Sequence, residues 1–255
     1  MNSFSLADCT TVEAALSQLK NGAVVKAGGV DLLDRMKNGT DAPARLVNIR
    51  NIKELRGIQA GPEGLTIGAL TTLAEVADHA AIRSEYTVLG DACGSAATPH
   101  IRNMATIGGN LLQELQCWYF RSADFQCLRK GKDICFAFSG LNQYHAIMDY
   151  GGCPSVAPSS AAVAVLAIGG SIELVSSKGK RAVAIKDFYV RPDANPTRFN
   201  VMEEGELLTA VRIPKPAPGT KSAYQKYGEK ESHDWAIADA AIVLEMDGKD
   251  RKSVV

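Results

Sequence analysis

The stretch "MATIGGNLL", residues 104–112, places two adjacent glycines between apolar residues, and "KAGGVDLL", residues 26–33, repeats the arrangement upstream. Glycine tolerates positive φ and lets a ligand approach the main chain closely. Successive N–H groups in such a turn bind anions, and a following helix start adds positive partial charge. Thr106 and Asn110 supply further donors. Two such turns that converge predict a diphosphate site, as in a dinucleotide cofactor; the simpler alternative is that both pairs only form turns.

Several function classes are disfavoured by the same sequence. Neither glycine pair belongs to a G-x-G-x-x-G or G-K-[ST] motif, so a Rossmann NAD site and a P-loop are not indicated. The chain contains no G-x-S-x-G nucleophile elbow, and its four histidines are scattered. The 28 Lys and Arg residues balance 28 Asp and Glu residues, which argues against a nucleic-acid surface. The chain also lacks an apolar run of about 20 residues and a basic leader, so we expect a cytoplasmic protein.

Hydrophobic periodicity around the glycine pairs predicts alternating helices and strands. The first 55 or so residues read as a small β-α-β unit whose helix, "TTVEAALSQL", is capped by Thr10 or Thr11. Downstream, we expect a hairpin at 58–70 and a helix at 71–82 that is capped by Thr71 or Thr72. A capped helix that leads into a strand is expected at 159–176, a further strand at 207–214, and a β and α element at 222–249.

Four cysteines follow the second glycine pair with the spacing C-x9-C-x7-C-x17-C: Cys117, Cys127, Cys135 and Cys153. Four thiolates can surround zinc or an iron–sulfur cluster. Structural zinc sites usually contain a tight C-x2–4-C pair, which is absent here, so the spacing favours iron–sulfur. Basic residues between the second and third cysteines could offset thiolate charge. The alternative is four buried free thiols.

The motifs "KAGGVDLL", "IGALTTLAEV", "TPHIRNMATIGGNL" and "ELLTAVRIP" occur in this order along the chain. Together they resemble the FAD-binding medium subunit of the xanthine dehydrogenase and carbon monoxide dehydrogenase family of molybdenum hydroxylases. The cysteine segment, with "CWYFR" and "NQYHAI", is similar to a subset with an extra [4Fe-4S] cluster, which includes 4-hydroxybenzoyl-CoA reductases and aldehyde oxidoreductases.

The resemblance implies an α+β fold like that of the vanillyl-alcohol oxidase flavoproteins, in which two subdomains hold FAD between them. Residues 1–56 would form the first FAD-binding subdomain and residues 57–216 the second, with a [4Fe-4S] insert at about 115–155. Residues 217–255 would begin a small C-terminal α/β domain. They read as a hairpin that stops at its second strand, so we expect an incomplete domain or one completed by a partner.

The resemblance also assigns site residues. One side of the FAD diphosphate would be held by Lys26, Ala27, Gly28, Gly29, Val30, Asp31, Leu32 and Leu33, and the other by Thr106, Ile107, Gly108, Gly109 and Asn110. The flavin and its ribityl chain would be contacted by Ala97, Thr98, His100, Ile101, Leu208 and Lys226. Ser160 stands where the family often has an acidic residue, and Val30 replaces a commoner Thr or Ser. The [4Fe-4S] ligands would be Cys117, Cys127, Cys135 and Cys153.

The function implied by the resemblance is electron transfer. Substrate would react on a molybdenum cofactor in a large partner subunit, and electrons would pass through [2Fe-2S] clusters of a small subunit to FAD in this chain. The resemblance is also compatible with a dimer of heterotrimers. No side chain here would act as a catalytic acid or base. The alternatives are a free-standing flavin oxidoreductase, for which an acid–base constellation is missing, and a zinc-stapled, non-enzymatic interaction module.

Overall fold

The computed structural model describes residues 1–148, 151–230, 233–247 and 250–254, with side chains described up to Met246. None of the helices in these ranges is long and apolar enough to cross a membrane. In chain order the elements are β1 Ser5–Asp8, α1 Val12–Gln18, β2 Val24–Lys26, α2 Val30–Lys37, β3 Arg45–Asn48, β4 Ile58–Gly61, β5 Gly64–Gly68, α3 Leu73–Asp78, α4 Ala80–Glu85, α5 Thr87–Gly94, α6 Pro99–Arg102, α7 Ile107–Leu111, α8 Ser160–Ile168, β6 Ser171–Ser176, β7 Gly179–Ala184, β8 Leu207–Pro214, β9 Lys221–Tyr227, β10 Ala238–Asp247 and β11 Asp250–Val254.

The N-terminal part is a three-stranded parallel sheet in the order β1-β3-β2, with α1 and α2 as connections. Thr11 caps α1 by accepting a hydrogen bond from the Ala14 amide at 3.2 Å, as the sequence predicts. Apolar residues of α1 and β3, among them Ala15 and Val47, pack together in one buried cluster. The predicted β-α-β unit is therefore confirmed.

The central part is a five-stranded antiparallel sheet in the order β4-β5-β8-β6-β7. The predicted hairpin forms β4 and β5, and the predicted strand at 207–214 forms β8 between β5 and β6. Thr72 caps α3 in a capping box with Glu75, and Ser159 caps α8. The buried faces of α3, α5, α8 and the sheet form the largest hydrophobic core of the described residues.

The C-terminal residues form a third sheet, antiparallel, in the order β11-β10-β9. It packs on α5, where Thr87 donates through Oγ1 to the Ser222 carbonyl at 2.7 Å and Tyr224 enters the main core. The hairpin that we expect at the end of the chain is confirmed for the described residues, where β10 and β11 pair antiparallel. The α element expected within residues 222–249 is not found in the described part of that range, which contains β9 and β10 and no helix.

The cysteine segment lies between α7 and α8 and contains little regular structure. Two 3-10 turns, Leu128–Lys130 and Phe136–Phe138, are its only assigned elements among the described residues. Aromatic rings pack it: Tyr119 lies 5.0 Å from Phe125 and 5.9 Å from Phe136 between ring centroids. The segment is held by side-chain packing rather than by a hydrogen-bonded ladder.

Candidate functional site

A cleft of about 770 Å³ runs between the N-terminal sheet and the central sheet, and both glycine segments line it. The two segments touch at Gly28, where an added Cβ would lie 2.0 Å from the Met104 carbonyl oxygen. No L-residue with a side chain fits that space without a backbone shift. The glycine at this position is therefore required by the close approach of two backbone segments.

The first glycine segment presents backbone donors to the cleft. Gly29, at φ 81°, is the N-cap of α2 and has no side chain to cap the helix. The first N–H groups of a helix lack intrahelical acceptors. Among the described residues nothing accepts from the amides of Val30, Asp31 and Leu32, all of which line the cleft. Together with the positive end of α2, they form an anion-binding turn.

The second glycine segment differs from our expectation of an equivalent amide cluster. The amides of Ile107, Gly108, Gly109 and Asn110 donate to Thr71 O, Ala69 O, Thr106 Oγ1 and Thr106 O, respectively, at 2.8–3.1 Å. These four amides are therefore not free for a diphosphate in this conformation. They anchor the turn to the central sheet, and an added Cβ on Gly108 would approach the Ala69 carbonyl oxygen to 3.0 Å.

The side chains of this segment still offer donors. Thr106 Oγ1 accepts from Gly109, so its own proton can be donated to a ligand. Asn110 Oδ1 accepts from Ser159 Oγ at 2.7 Å, which leaves the Asn110 NH₂ group for a ligand. The two segments thus contribute different groups. The first offers main-chain N–H groups, and the second offers side-chain donors next to glycines that leave room for a ligand.

Most of the residues assigned from the sequence line the cleft: Ala27, Gly28, Gly29, Val30, Asp31, Leu32, Ala97, Ile101, Thr106, Gly108, Gly109, Asn110, Ser160, Leu208 and Lys226. Five do not. Lys26 ends β2, and Leu33 packs in the small core under α2. Thr98 caps α6, whereas His100 is exposed and Ile107 is fully buried in the central core.

Two parts of the cleft wall were missed by sequence reasoning. One is the segment leading into β8, with Asn200, Met202 and residues 204–207; the other follows β9, with Asp234 and Trp235. Lys226 Nζ donates to the carbonyls of Ser95 and Asp234 at 3.1 and 2.6 Å, which holds the second part in place. Burial lowers the pKa of Lys226. Apart from Glu206 and Leu207, which begin one of the quoted motifs, these residues carry no local motif, and only the tertiary fold brings them to the cleft.

An ionic network lies at one end of the cleft. Arg121 of the cysteine segment donates to Asp31 Oδ1 at 2.5 Å, and Arg35 donates through Nε to Asp31 Oδ2 at 3.1 Å. Arg35 also pairs with Asp41 and approaches Glu114 Oε1 at 4.0 Å. The two arginine side chains are only 12% exposed, so each guanidinium is largely removed from water.

Glu114 is the least satisfied member of this network. Its Oε2 atom is buried without a hydrogen-bond partner among the described residues. Burial raises the pKa of Glu114 to about 7, against the opposing effect of the Arg35 charge. Glu114 therefore exchanges its proton close to neutral pH, at the wall of the cleft.

The four cysteines of the segment surround one small cavity of about 10 Å³, which is about the space of a single water molecule. Cys117, Cys127 and Cys153 are buried and Cys135 is partly exposed. No disulfide joins any of them. The structure thus brings together the four residues that the sequence singles out, although no three His, Cys, Asp or Glu side chains of the described residues are arranged around a single metal ion.

The charges around the cavity suit an anionic occupant. Burial raises the pKa of Cys153 to about 11 and also raises that of Cys117, so without a metal these thiols stay protonated at neutral pH. Arg129 is 7% exposed, stacks 4.2 Å from the Phe199 ring centroid, and has no hydrogen-bond partner for Nε or Nη1 among the described residues. Thiolates bound to a metal would pair with this buried cation.

His145 is a neighbour of the cavity that sequence reasoning left aside. Its Nε2 lies 3.2 Å from Cys117 Sγ, and its Nδ1 is buried without a partner among the described residues. Burial lowers the pKa of His145, so the ring is neutral at physiological pH. The sequence offered no signal for this contact because 27 residues separate the two positions.

Comparison with known proteins identifies the class to which this fold and cleft belong. Residues 2–216 match the family model of the FAD-binding domain in molybdopterin dehydrogenase. The chain belongs to this family, and the resemblance drawn from the motifs is confirmed at that level.

Individual relatives support the same family assignment. The chain is 34% identical over 248 residues to the aldehyde oxidoreductase FAD-binding subunit PaoB of Escherichia coli, covering 95% of this chain and 77% of the relative. It is 32% identical to the carbon monoxide dehydrogenase medium chain of Afipia carboxidovorans, covering 96% and 67%. Among solved structures, the Cu,Mo-CO dehydrogenase in its cyanide-inactivated form contains a chain that superposes with a TM-score of 0.76 at 27% identity, covering 99% of this chain and 73% of that one.

Proposed function

We propose that this chain is the FAD- and [4Fe-4S]-containing electron-transfer subunit of a multi-subunit molybdenum hydroxylase. It carries electrons between [2Fe-2S] clusters of a small partner subunit and a terminal acceptor, while substrate reacts on the molybdenum cofactor of a large subunit. The three subunits form a heterotrimer that pairs into a dimer of heterotrimers. Family membership supports the flavin and the partners, since the relatives are named as subunits or chains of oxidoreductases and dehydrogenases.

The observation that carries the FAD proposal is the cleft between the two glycine segments. Its volume of about 770 Å³ is in the range of cofactor sites. The diphosphate is held by the N–H groups at the start of α2, with the Thr106 hydroxyl and the Asn110 amide on the opposite side. Leu208, Lys226 and Ser160 contact the flavin and its ribityl chain, together with Ala97 and Ile101.

FAD supplies the chemistry of this subunit because it exchanges electrons singly or in pairs and so connects one-electron and two-electron partners. The chain's own residues bind and orient the ring, and set the charge around it. Lys226 brings a cation to the ring end of the cleft. Pocket residues such as Leu70 and Leu207 are apolar and exclude water from the bound ring.

The [4Fe-4S] proposal rests on the cysteine cavity. Cys117, Cys127, Cys135 and Cys153 line one cavity. Arg129, two of whose nitrogens have no hydrogen-bond partner in the described part of the chain, supplies positive charge for an anionic cluster. The donor type and the charge therefore fit the cluster. The cavity is smaller than a cluster, so binding requires these side chains to move apart. The described residues of the segment contain only two short 3-10 turns, so that movement breaks no longer helix and no sheet.

We also propose a domain division on the pattern of the vanillyl-alcohol oxidase flavoproteins. Residues 1–56 and 57–216 are the two FAD-binding subdomains, the insert spans about 115–155, and 217–255 begin a C-terminal domain. The division is supported by the three separate sheets, each formed within one of these ranges.

Anaerobic purification followed by flavin, iron and zinc analysis tests the proposal. We expect about one FAD and about four iron atoms per chain, and an absorption spectrum that combines flavin bands with a broad iron–sulfur shoulder. Colourless protein without flavin or iron contradicts it. About one zinc per chain without iron would instead support a zinc-stapled module, and turnover of a small donor without partner subunits would support a free-standing flavin enzyme.

A further inference from the structure

Helix α2, whose first amides form the anion-binding turn, is held at both ends by a single residue of the cysteine segment. At its start, Arg121 Nη2 donates to Asp31 Oδ1 at 2.5 Å. Just beyond its end, Thr40 Oγ1 donates to the Arg121 carbonyl oxygen at 3.0 Å. Arg121 is distant from both in sequence, so only the fold of the cysteine segment delivers it to α2.

The contact at the helix start is the stronger of the two. Asp31 Oδ2 also accepts from the Glu114 amide at 3.1 Å, so two residues that flank the first cysteine bind one carboxylate. The Arg121 and Asp31 side chains are 12% and 19% exposed. A charge pair this far removed from water is costly to separate, because each partner would be left partly buried and uncompensated.

The same arginine is tied to the cysteine cavity. The Arg121 amide donates to the Cys117 carbonyl oxygen at 2.9 Å, which places the two residues in one turn of the backbone. Arg121 Nε donates to the Leu115 carbonyl oxygen at 2.8 Å. The Cys117 backbone and Arg121 are therefore linked, so restricting the motion of Cys117 also restricts the residue that positions the start of α2.

We propose that Arg121 couples the two cofactor sites, so that a cluster on the cysteines strengthens FAD binding and FAD strengthens retention of the cluster. This inference rests on the proposed function, because it requires both cofactors. A cluster fixes Cys117 and with it the turn that contains Arg121. Arg121 then holds Asp31, and the amides that begin α2 stay in the geometry that binds a diphosphate. Coupling between two binding sites is reciprocal by thermodynamic necessity.

Arg121 is a positioning residue in this account, and the test measures binding rather than turnover. The dissociation constant of FAD is measured by quenching of flavin fluorescence on iron-free and iron-loaded protein, both prepared without flavin under anaerobic conditions. For the wild-type chain we expect FAD to bind at least about fivefold more tightly to the iron-loaded form, the lower end of typical coupling.

Three variants locate the coupling. In Arg121→Met the ratio of the two dissociation constants falls to about one, and in Arg121→Lys, which keeps a charge, part of the ratio returns. Arg212→Met is the control: it removes another arginine–carboxylate pair, with Glu173 at 2.6 Å, whose arginine is more exposed and which lies away from both the cleft and the cysteine segment. The control retains the wild-type ratio.

A wild-type ratio of one overturns the inference while leaving the proposed function intact, since both cofactors still bind. An equal loss of FAD affinity in both forms of Arg121→Met also overturns it, because Arg121 would then act only on the cleft. Failure of the chain to bind FAD or iron at all is a failure of the proposed function instead.

A second measurement needs no variant and covers the case in which Arg121→Met does not fold. Iron-loaded wild-type protein is exposed to a chelator with and without saturating FAD, and iron release is followed spectroscopically. We expect FAD to slow the release several-fold. Identical release with and without FAD contradicts the coupling.

Discussion

The cleft and the cysteine cavity are two sites of opposite construction. The cleft is about 770 Å³ and is built from helix starts, strand ends and close backbone contacts, so it exists without a ligand. The cysteine cavity is about 10 Å³ and lies in a segment held by aromatic packing and two short turns. The difference teaches that the fold specifies the first site in advance, whereas the second site depends on the metal to acquire its final shape.

The largest effect is expected from breaking the cleft alone with Gly28→Ala. The added Cβ would lie 2.0 Å from the Met104 carbonyl oxygen, so the two glycine segments must separate. We expect FAD affinity to fall at least about tenfold, which corresponds to about 1.4 kcal/mol, while iron binding persists. Equilibrium dialysis with FAD measures the loss.

Gly61→Ala is the control for this change, because an added Cβ there would contact only the Gly64 carbonyl oxygen, at 3.9 Å, outside the cleft. If Gly28→Ala binds FAD as well as Gly61→Ala does, the close approach of the two segments does not matter for the cofactor, and the account of the cleft is wrong.

The converse change, Cys153→Ser, should break the cysteine site alone. A serine hydroxyl is a poor ligand for iron, so we expect the iron content to fall to less than half, while saturating FAD still gives about one flavin per chain. Cys9→Ser is the control, since Cys9 is buried in the N-terminal core and does not line the cavity. Iron loss of equal size in both variants would argue that it reflects general destabilisation.

An effect on stability rather than on cofactor binding should appear at the boundary between the two sites, in the pH dependence of the iron-free apoprotein. Burial raises the pKa of Glu114 from 4.5 to about 7, so the folded state binds this proton more tightly than the unfolded state does. Stability from this group is complete below about pH 4.5 and is lost as pH rises to about 7. Relative to wild type, Glu114→Gln should therefore be nearly unchanged near pH 4.5 and more stable by up to about 3 kcal/mol at pH 8, since each unit of raised pKa corresponds to about 1.4 kcal/mol.

Urea unfolding at a series of pH values measures this difference. If the stability of Glu114→Gln and of wild type changes with pH in parallel, the pKa of the Glu114 carboxyl is not raised. The end of the cleft would then be more hydrated than the structure indicates.

The smallest effect, and the one that sharpens the comparison most, concerns Arg129. In iron-free protein two nitrogens of its buried guanidinium have no hydrogen-bond partner among the residues that the structure describes. Arg129→Met should therefore be about 1 kcal/mol more stable, the loss of stacking on Phe199 offsetting part of the gain. In iron-loaded protein the same change removes the charge that faces the cluster, and iron should be released faster. Chemical unfolding measures the stability of the iron-free protein, and chelator challenge measures iron release from the loaded protein. The assignment is contradicted if Arg129→Met stabilises both the iron-free fold and the bound iron, or destabilises both.

Local signals in the sequence account for the elements that build the cleft. Thr11, Thr72 and Ser159 predict helix starts because each has a side-chain oxygen that can cap, and all three do so. The hairpin at 58–70 follows from its turn residues. The glycine pairs were recognisable because few other residues tolerate such close backbone contact.

Other features had no local signal. The amides of residues 107–110 are occupied by Thr71, Ala69 and Thr106, and this depends on how the central sheet meets α7. The pair of Asp31 with Arg121 joins residues 90 positions apart. Such contacts arise from tertiary packing, which neither periodicity nor motif spacing can report.

Cofactor binding in this protein is expected to depend on a diphosphate that accepts hydrogen bonds from the first amides of α2. The most direct measurement is therefore a comparison of FAD and riboflavin binding to flavin-free wild-type protein. Riboflavin has the same ring and ribityl chain but lacks the diphosphate and the adenosine attached to it, so we expect it to bind at least about a hundredfold more weakly, a difference of about 2.7 kcal/mol. Equal affinities for the two would show that the glycine segments contribute nothing to cofactor binding.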